Sequence, residues 1–291
     1  MSKIIENQYG DTYKTPGFIK TTGAIVAGSL AGEAIKSLPK TVAPKLIYIM
    51  QKNSKSIDNK LLRGAINDVF KKSGLEKNNV EIIDAGISKN ANKLKQAIQM
   101  ELPKIIRNNK LGDIYSSLIK FILNEGENAC FLPKTNKIAV NIDKLGSSAF
   151  HEMGHALNKN CSTFWKSMQK LRAPGLIAGC LAFPTIAIFK RKKVEGEEPK
   201  GIFDKATTFI KDNAGKLTTF AFVPIVAEEL MATHKGEKLA KEFLPKDALK
   251  KVKITNRLGA SSYIATALLA GVGANIGSKV RDKFAQPKKI S

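Results

Sequence analysis

The stretch His151-Glu152-Met153-Gly154-His155 constrains this chain more than any other. Two histidines four residues apart lie one turn apart on one face of an α-helix, so the segment reads as helix. From that face both imidazoles can reach a single Zn²⁺. Glu152 stands about 100° around the helix from His151, where it can lean on a water bound to the metal. A helix of this kind also demands a third protein ligand from elsewhere in the chain and an open coordination position. The chemistry such a set serves is hydrolysis: the metal acidifies the water, Glu152 takes its proton, and the resulting hydroxide attacks a polarised carbonyl. The chain holds three histidines and two of them fall on this motif, which argues against coincidence.

Charge narrows the partners. The 291 residues carry 48 Lys and Arg against 25 Asp and Glu, a net charge of +23. Almost all of the excess is lysine, because Arg63, Arg107, Arg172, Arg191, Arg257 and Arg281 are the only arginines. Guanidinium forks dominate the reading of bases, and no aromatic-interleaved module is present, so specific nucleic-acid binding is not expected. Diffuse lysine suits an anionic membrane surface, or simply a solvated face. Cys130, Cys161 and Cys180 are widely spaced and form no C-x-x-C pair, which speaks against a disulfide scaffold or a structural zinc knuckle. Residues 1–20 are polar and do not read as a signal peptide.

Hydrophobic patterning divides the chain into five stretches. Residues 1–75 read as a helical region: an uncharged small-residue run at 21–32 with Gly28-x-x-x-Gly32, then an amphipathic pattern over 45–75. Residues 76–165 hold a strand at 80–84, a helical pattern over 90–124 broken at Pro103 and at 108–112, and two strand-like runs around Pro133-Lys134-Thr135-Asn136. Those runs, Asn128–Leu132 and Ile138–Ile142, predict a β-hairpin leading into the histidine helix. Its edge strand can pair with an extended polypeptide through free backbone groups. Residues 166–227 contain two apolar runs, 173–189 and 217–227, around a polar stretch at 190–216. Residues 228–257 carry the candidate third ligand. Residues 258–291 open with twenty-one uncharged positions, including Gly273-x-x-x-Gly277, and end in a basic tail expected to be mobile. By length, 258–278 is the best candidate for a membrane span.

For the third ligand, Glu229 leads and its neighbour Glu228 is the alternative in register. His234 lies on another helical face, and Cys161 falls where an HExxHxxGxxH pattern has its third histidine, with Asn158 in place of the glycine.

At these residues the chain resembles the gluzincins, and more narrowly the membrane metallopeptidases that include the heat-shock and CAAX-prenyl-processing enzymes. Three segments carry the resemblance: Asn128-Ala129-Cys130-Phe131 followed by Ile138-Ala139-Val140-Asn141; His151 to His155; and Glu229-Leu230-Met231-Ala232. They span about residues 126–242. Thr233 stands where that family has an aspartate orienting a zinc histidine, and a hydroxyl holds a ring more weakly. The resemblance implies an α+β, mostly helical fold with a zincin-like core, a small hairpin with an edge strand, and apolar membrane-associated helices. It implies one Zn²⁺ on His151, His155 and Glu229, with Glu152 catalytic, Thr233 behind a ligand, and a polypeptide substrate. Lipid is the second expected partner, in the cell's inner membrane, with the active site facing the cytoplasm. The rival reading is an inactive, lysine-rich membrane scaffold.

Overall fold

The computed structural model describes residues 2–290 and is mostly helical with a few short strands. In chain order, β1 (Ile4–Glu6) and β2 (Thr12–Lys14) precede α1 (Phe18–Lys36), α2 (Leu38–Lys55) and α3 (Asn59–Lys72). Then come β3 (Glu81–Asp84), α4 (Ala91–Glu101), the short α5 (Lys104–Arg107), α6 (Lys110–Asn124), β4 (Cys130–Leu132) and β5 (Lys137–Val140). The single turn α7 (Ile142–Leu145) leads to α8 (Ala149–Cys161), which carries both motif histidines. Next, α9 (Thr163–Ile177) and α10 (Phe183–Phe189) are joined through a π-helical turn at Ala178–Ala182. The chain continues as α11 (Gly201–Asp212), α12 (Ala214–Ala221), α13 (Val223–Ala240), the 39-residue α14 (Lys246–Phe284) and β6 (Lys288–Lys289).

Local chemistry explains most boundaries. The amphipathic pattern over 45–75 is two helices, because Asp58 starts α3 by accepting from Leu61 N at 2.7 Å. Asn109 caps α6 in the same way, accepting from Leu111 N and Gly112 N. Pro103 separates α4 from α5. Asn136 closes the β4–β5 turn with a left-handed φ of 55°.

The chain forms two compact units, each assembled from distant stretches: residues 42–170 with 226–263, and residues 1–41 with 171–225 and 264–291. The first is organised on a three-stranded sheet in the order β3-β5-β4, with β5 parallel to β3 and antiparallel to β4. The β4–β5 pairing is the hairpin read from the sequence, in the register Cys130↔Ala139 and Leu132↔Lys137. Central β5 is apolar on both faces. Ile138 and Val140 point into a core with Leu62, Ile66, Val69, Phe150 and Met153, whereas Ala139 points the other way, toward Ile83, Leu94, Ile98 and Leu123. Each fully buried aliphatic of this kind contributes about 1.5–3 kcal/mol. The apolar residues of this unit are largely inside. One exception is α6, whose outer stripe of Leu111, Ile114, Tyr115, Leu118 and Phe121 is exposed.

The second unit is built on another principle. Gly28 and Gly32 of α1 lie against Gly277 and Gly273 of α14, so the two small-residue motifs of the sequence pack on each other. A Cβ at Gly28 would stand 2.5 Å from the Gly277 carbonyl oxygen, and one at Gly277 would stand 2.7 Å from that of Gly28. The buried positions of this unit are mostly small or polar: Ala24, Gly179, Ala187, Thr207, Ala214, Thr218, Ala267, Ala270, Ala274 and Ser278. Its large apolar side chains, among them Val26, Leu30, Leu176, Ile177, Leu181, Phe220, Leu268 and Val272, face outward. The basic tail does not dangle, because β6 adds to β2 and completes a small β1-β2-β6 sheet.

Among the described residues, one helix has the length and apolar character to cross a membrane: Thr163–Phe189. It contains the apolar run at 173–189. The run at 258–278 is not a candidate on the same criteria, because its glycine, serine and threonine lower the mean. The run at 217–227 is divided between α12 and α13.

Candidate metal centre

Two helices of the first unit build the site. His151, Glu152, His155 and Asn158 lie on α8, and Glu228, Glu229, Ala232 and Thr233 lie on α13. Glu229 lies inside α13, more than one turn from its start. The helix begins at Val223, with Pro224 in its first turn, where a missing N–H is tolerated.

Glycine sets how closely α8 and α13 approach. A Cβ on Gly154 would collide with the carbonyl of Ala232, and a Cβ on Gly236 with the backbone of Phe150 and His151. Both obstacles are main chain and have no rotamer to move into. This contact fixes the rotation of α13, and the rotation decides which glutamate meets the histidines.

Glu229 Oε2 stands 3.1 Å from His151 Nε2 and 3.4 Å from His155 Nε2, and the two Nε2 atoms are 2.9 Å apart. Donors held about 2.0–2.1 Å from one ion at tetrahedral angles stand about 3.4 Å from each other. The observed triangle is therefore close to the size a single zinc ion would impose. His151, His155 and Glu229 are also the one group of three His, Cys, Asp or Glu side chains among the described residues whose ligand atoms converge within 4.8 Å.

The far side of each ring is also occupied. Glu228 Oε1 lies 2.8 Å from His155 Nδ1. A carboxylate can only accept, so Nδ1 of His155 bears a proton and Nε2 is the nitrogen that faces the centre. Glu228 itself is fully buried, and it accepts from Asn158 Nδ2 at 2.9 Å and Gln169 Nε2 at 2.8 Å. Thr233 Oγ1 lies 3.0 Å from His151 Nδ1 and braces the second ring from its far side. Outer partners of this kind fix ring orientation and tautomer at metal sites.

Electrostatics gives an independent reason to expect a cation. Burial by itself would push the His155 pKa down, yet the charges of Glu229 and Glu228 overrule it and raise it to about 10. The metal-free centre therefore draws a proton into the space between its donors. A divalent ion would satisfy the same pair of carboxylates with more charge.

Glu152 is buried beside the cluster. Burial first, and then the charges of Glu152 and Glu101, push the Cys130 thiol upward, so Glu152 lies within electrostatic reach of β4. His234 is exposed and Cys161 is exposed, and neither joins the cluster. Asn158 serves Glu228 and not the metal position. Its part was legible in principle, since residues 151, 155 and 158 share one helical face. Gln169, on the following helix, had no signal in the sequence.

Comparison with protein-family models, with curated proteins and with solved structures finds no match.

Proposed function

We propose that this protein is a membrane-associated zinc endopeptidase, similar in its site to the gluzincins, that cleaves membrane-proximal or unfolded polypeptides. The observation that carries the reading is the convergence of three lone-pair donors, each histidine turned inward by a partner on its other nitrogen. His151, His155 and Glu229 would hold the ion. When bound, zinc supplies an acidified water and a Lewis acid for the scissile carbonyl. Glu152 accepts the water's proton and returns it to the departing amine. Glu228 and Thr233 keep the imidazoles aligned and basic. β4, at the edge of its sheet, offers backbone groups to an extended substrate, which suits cleavage with little side-chain selectivity.

Membrane association is supported by the apolar Thr163–Phe189 helix and by the outward-facing Leu, Ile, Val and Phe side chains of the second unit. Small residues inside and large apolar residues outside is how helices pack where the surroundings are lipid.

Glu152→Gln tests the catalytic reading. The amide fills the same volume but cannot take a proton, so zinc content should stay at one ion per chain while peptidase activity falls by about 10²–10⁴-fold or more. Substantial activity in that variant would remove Glu152 as the base. Zinc without activity in the wild-type protein, on any unfolded substrate, would favour the scaffold reading.

A further inference from the structure

One helix of the second unit is folded inside out. Along α11, Asp204, Thr207 and Lys211 recur at helical spacing and face the protein, while Ile202, Phe203 and Phe209 face away from it. Thr207 and Lys211 are 8% and 4% exposed, against 88% for Ile202, 83% for Phe203 and 59% for Phe209. An amphipathic helix on a water-soluble surface has the opposite arrangement.

The charged residues of the inner face, Asp204 and Lys211, are both paired, so the orientation is built in. Asp204 pairs with Lys190 and with Lys193, the latter at 2.9 Å, and accepts from Lys200 N at 2.7 Å. Lys211 Nζ donates to the Ala187 carbonyl at 2.7 Å and pairs with Asp282 at 2.9 Å. Rotating the helix to bury its phenylalanines would break all of these contacts at once. The twelve residues of α11 extend only about 18 Å, too short to span a bilayer. The contacts with residues 187–193 and with Asp282 set α11 against the ends of α10 and α14, where Phe189 and Phe284 are exposed as well. Exposed Lys192, Lys200 and Lys205 flank it.

We infer that α11 lies in the plane of a lipid bilayer at the headgroup boundary, with Ile202, Phe203 and Phe209 in the acyl region and the flanking lysines on anionic headgroups. The apolar stripe selects lipid over water, and the lysines select an anionic surface over a neutral one. The inference rests on the membrane association proposed above and adds to it a depth and a lipid preference.

The test places an indole at the centre of the stripe. Full-length protein carrying Trp165→Phe and Phe203→Trp is reconstituted into phosphatidylcholine vesicles and into vesicles that are half phosphatidylglycerol. Fluorescence is then quenched with lipids brominated near the carbonyls, with lipids brominated near the chain ends, and with aqueous iodide. Shallow bromines should quench at least about twofold more than deep ones or iodide, more strongly in the anionic vesicles, and Lys200→Ser with Lys205→Ser should abolish that difference. Protein that floats with the vesicles while the indole answers only to iodide would overturn the placement of α11 and leave membrane association standing. Equal quenching in both vesicle types would overturn the anionic preference. Protein that floats with neither vesicle type would overturn the membrane reading and this inference together.

Discussion

Two helix crossings in this molecule use the same device toward different ends. In one unit, Gly154 and Gly236 bring α8 and α13 into main-chain contact; in the other, Gly28, Gly32, Gly273 and Gly277 do so for α1 and α14. At the first crossing the neighbouring positions are His151, His155, Glu228 and Glu229, and close approach of the backbones becomes convergence of donor atoms. At the second they include Ala24, Ala274 and Ser278 beside Lys36 and Arg281, and close approach brings no such donor cluster together among the described residues. The surroundings differ accordingly. The first unit hides Phe150, Met153, Ile138 and Val140, while the second turns Leu30, Leu181, Phe220 and Leu268 outward. Glycine at a crossing sets a distance; the residues one turn away decide what the distance is for.

The strongest way to break the contrast is to remove a donor. Glu229→Ala should lower zinc affinity by about two to four orders of magnitude, whereas Glu228→Ala should cost about 10–100-fold, as expected for an outer partner of His155. Competitive zinc titration ranks them, and a reversed order would mean that α13 is rotated by one residue. Next in size is a pair of matched glycine substitutions. Gly154→Val should force α8 from α13, costing about 1–3 kcal/mol or more of stability and most of the bound zinc; Gly28→Val should destabilise to a similar degree but leave zinc stoichiometry intact. Melting curves and metal analysis on the same samples separate the two effects. If Gly28→Val also loses zinc, the crossings are not independent.

Smaller effects sharpen the picture. The raised pKa of His155 means that its proton stabilises the metal-free fold fully below about pH 6.5, and that this contribution is lost as pH rises through about 10. Under the proposed function, zinc would take the place of that proton. Melting temperature should therefore decline across this interval in metal-free protein and much less in zinc-loaded protein, and zinc uptake at neutral pH should release a proton measurable in weakly buffered solution. Thr233→Val should weaken zinc about tenfold. His234→Ala and Cys161→Ser, both at exposed positions apart from the cluster, should leave zinc titration unchanged.

How much of this was legible before the structure depends on the distance over which each feature is encoded. Spacing put His151 and His155 on one face, and Pro103 and Asn109 marked helix boundaries, because those signals act within a turn or two. The β4–β5 hairpin was legible for the same reason, through its Pro133–Asn136 turn. The choice between Glu228 and Glu229 was not, since adjacent residues differ only by a rotation of α13 that Gly154 and Gly236 set from another helix. The parallel pairing of β3 with β5 was equally hidden, because more than fifty residues intervene. α11 falls in the stretch read as polar, and no local rule says that the polar side of such a helix is the buried one. The mobility expected of the basic tail failed on a contact at still longer range, the Tyr13↔Lys289 pairing.

That last pairing also orders the birth of the molecule. β2 can pair with β1 early, but its second partner waits until Lys288 and Lys289 have left the ribosome, so this three-stranded sheet is completed late. The metal centre faces a milder delay, since His151 waits for a carboxylate seventy-eight residues downstream. During synthesis, the core around Ile138 and Phe150 can therefore begin to condense while the protein has neither a complete donor set nor a finished second unit. The donor set is thus completed late, by the order of the chain's own residues.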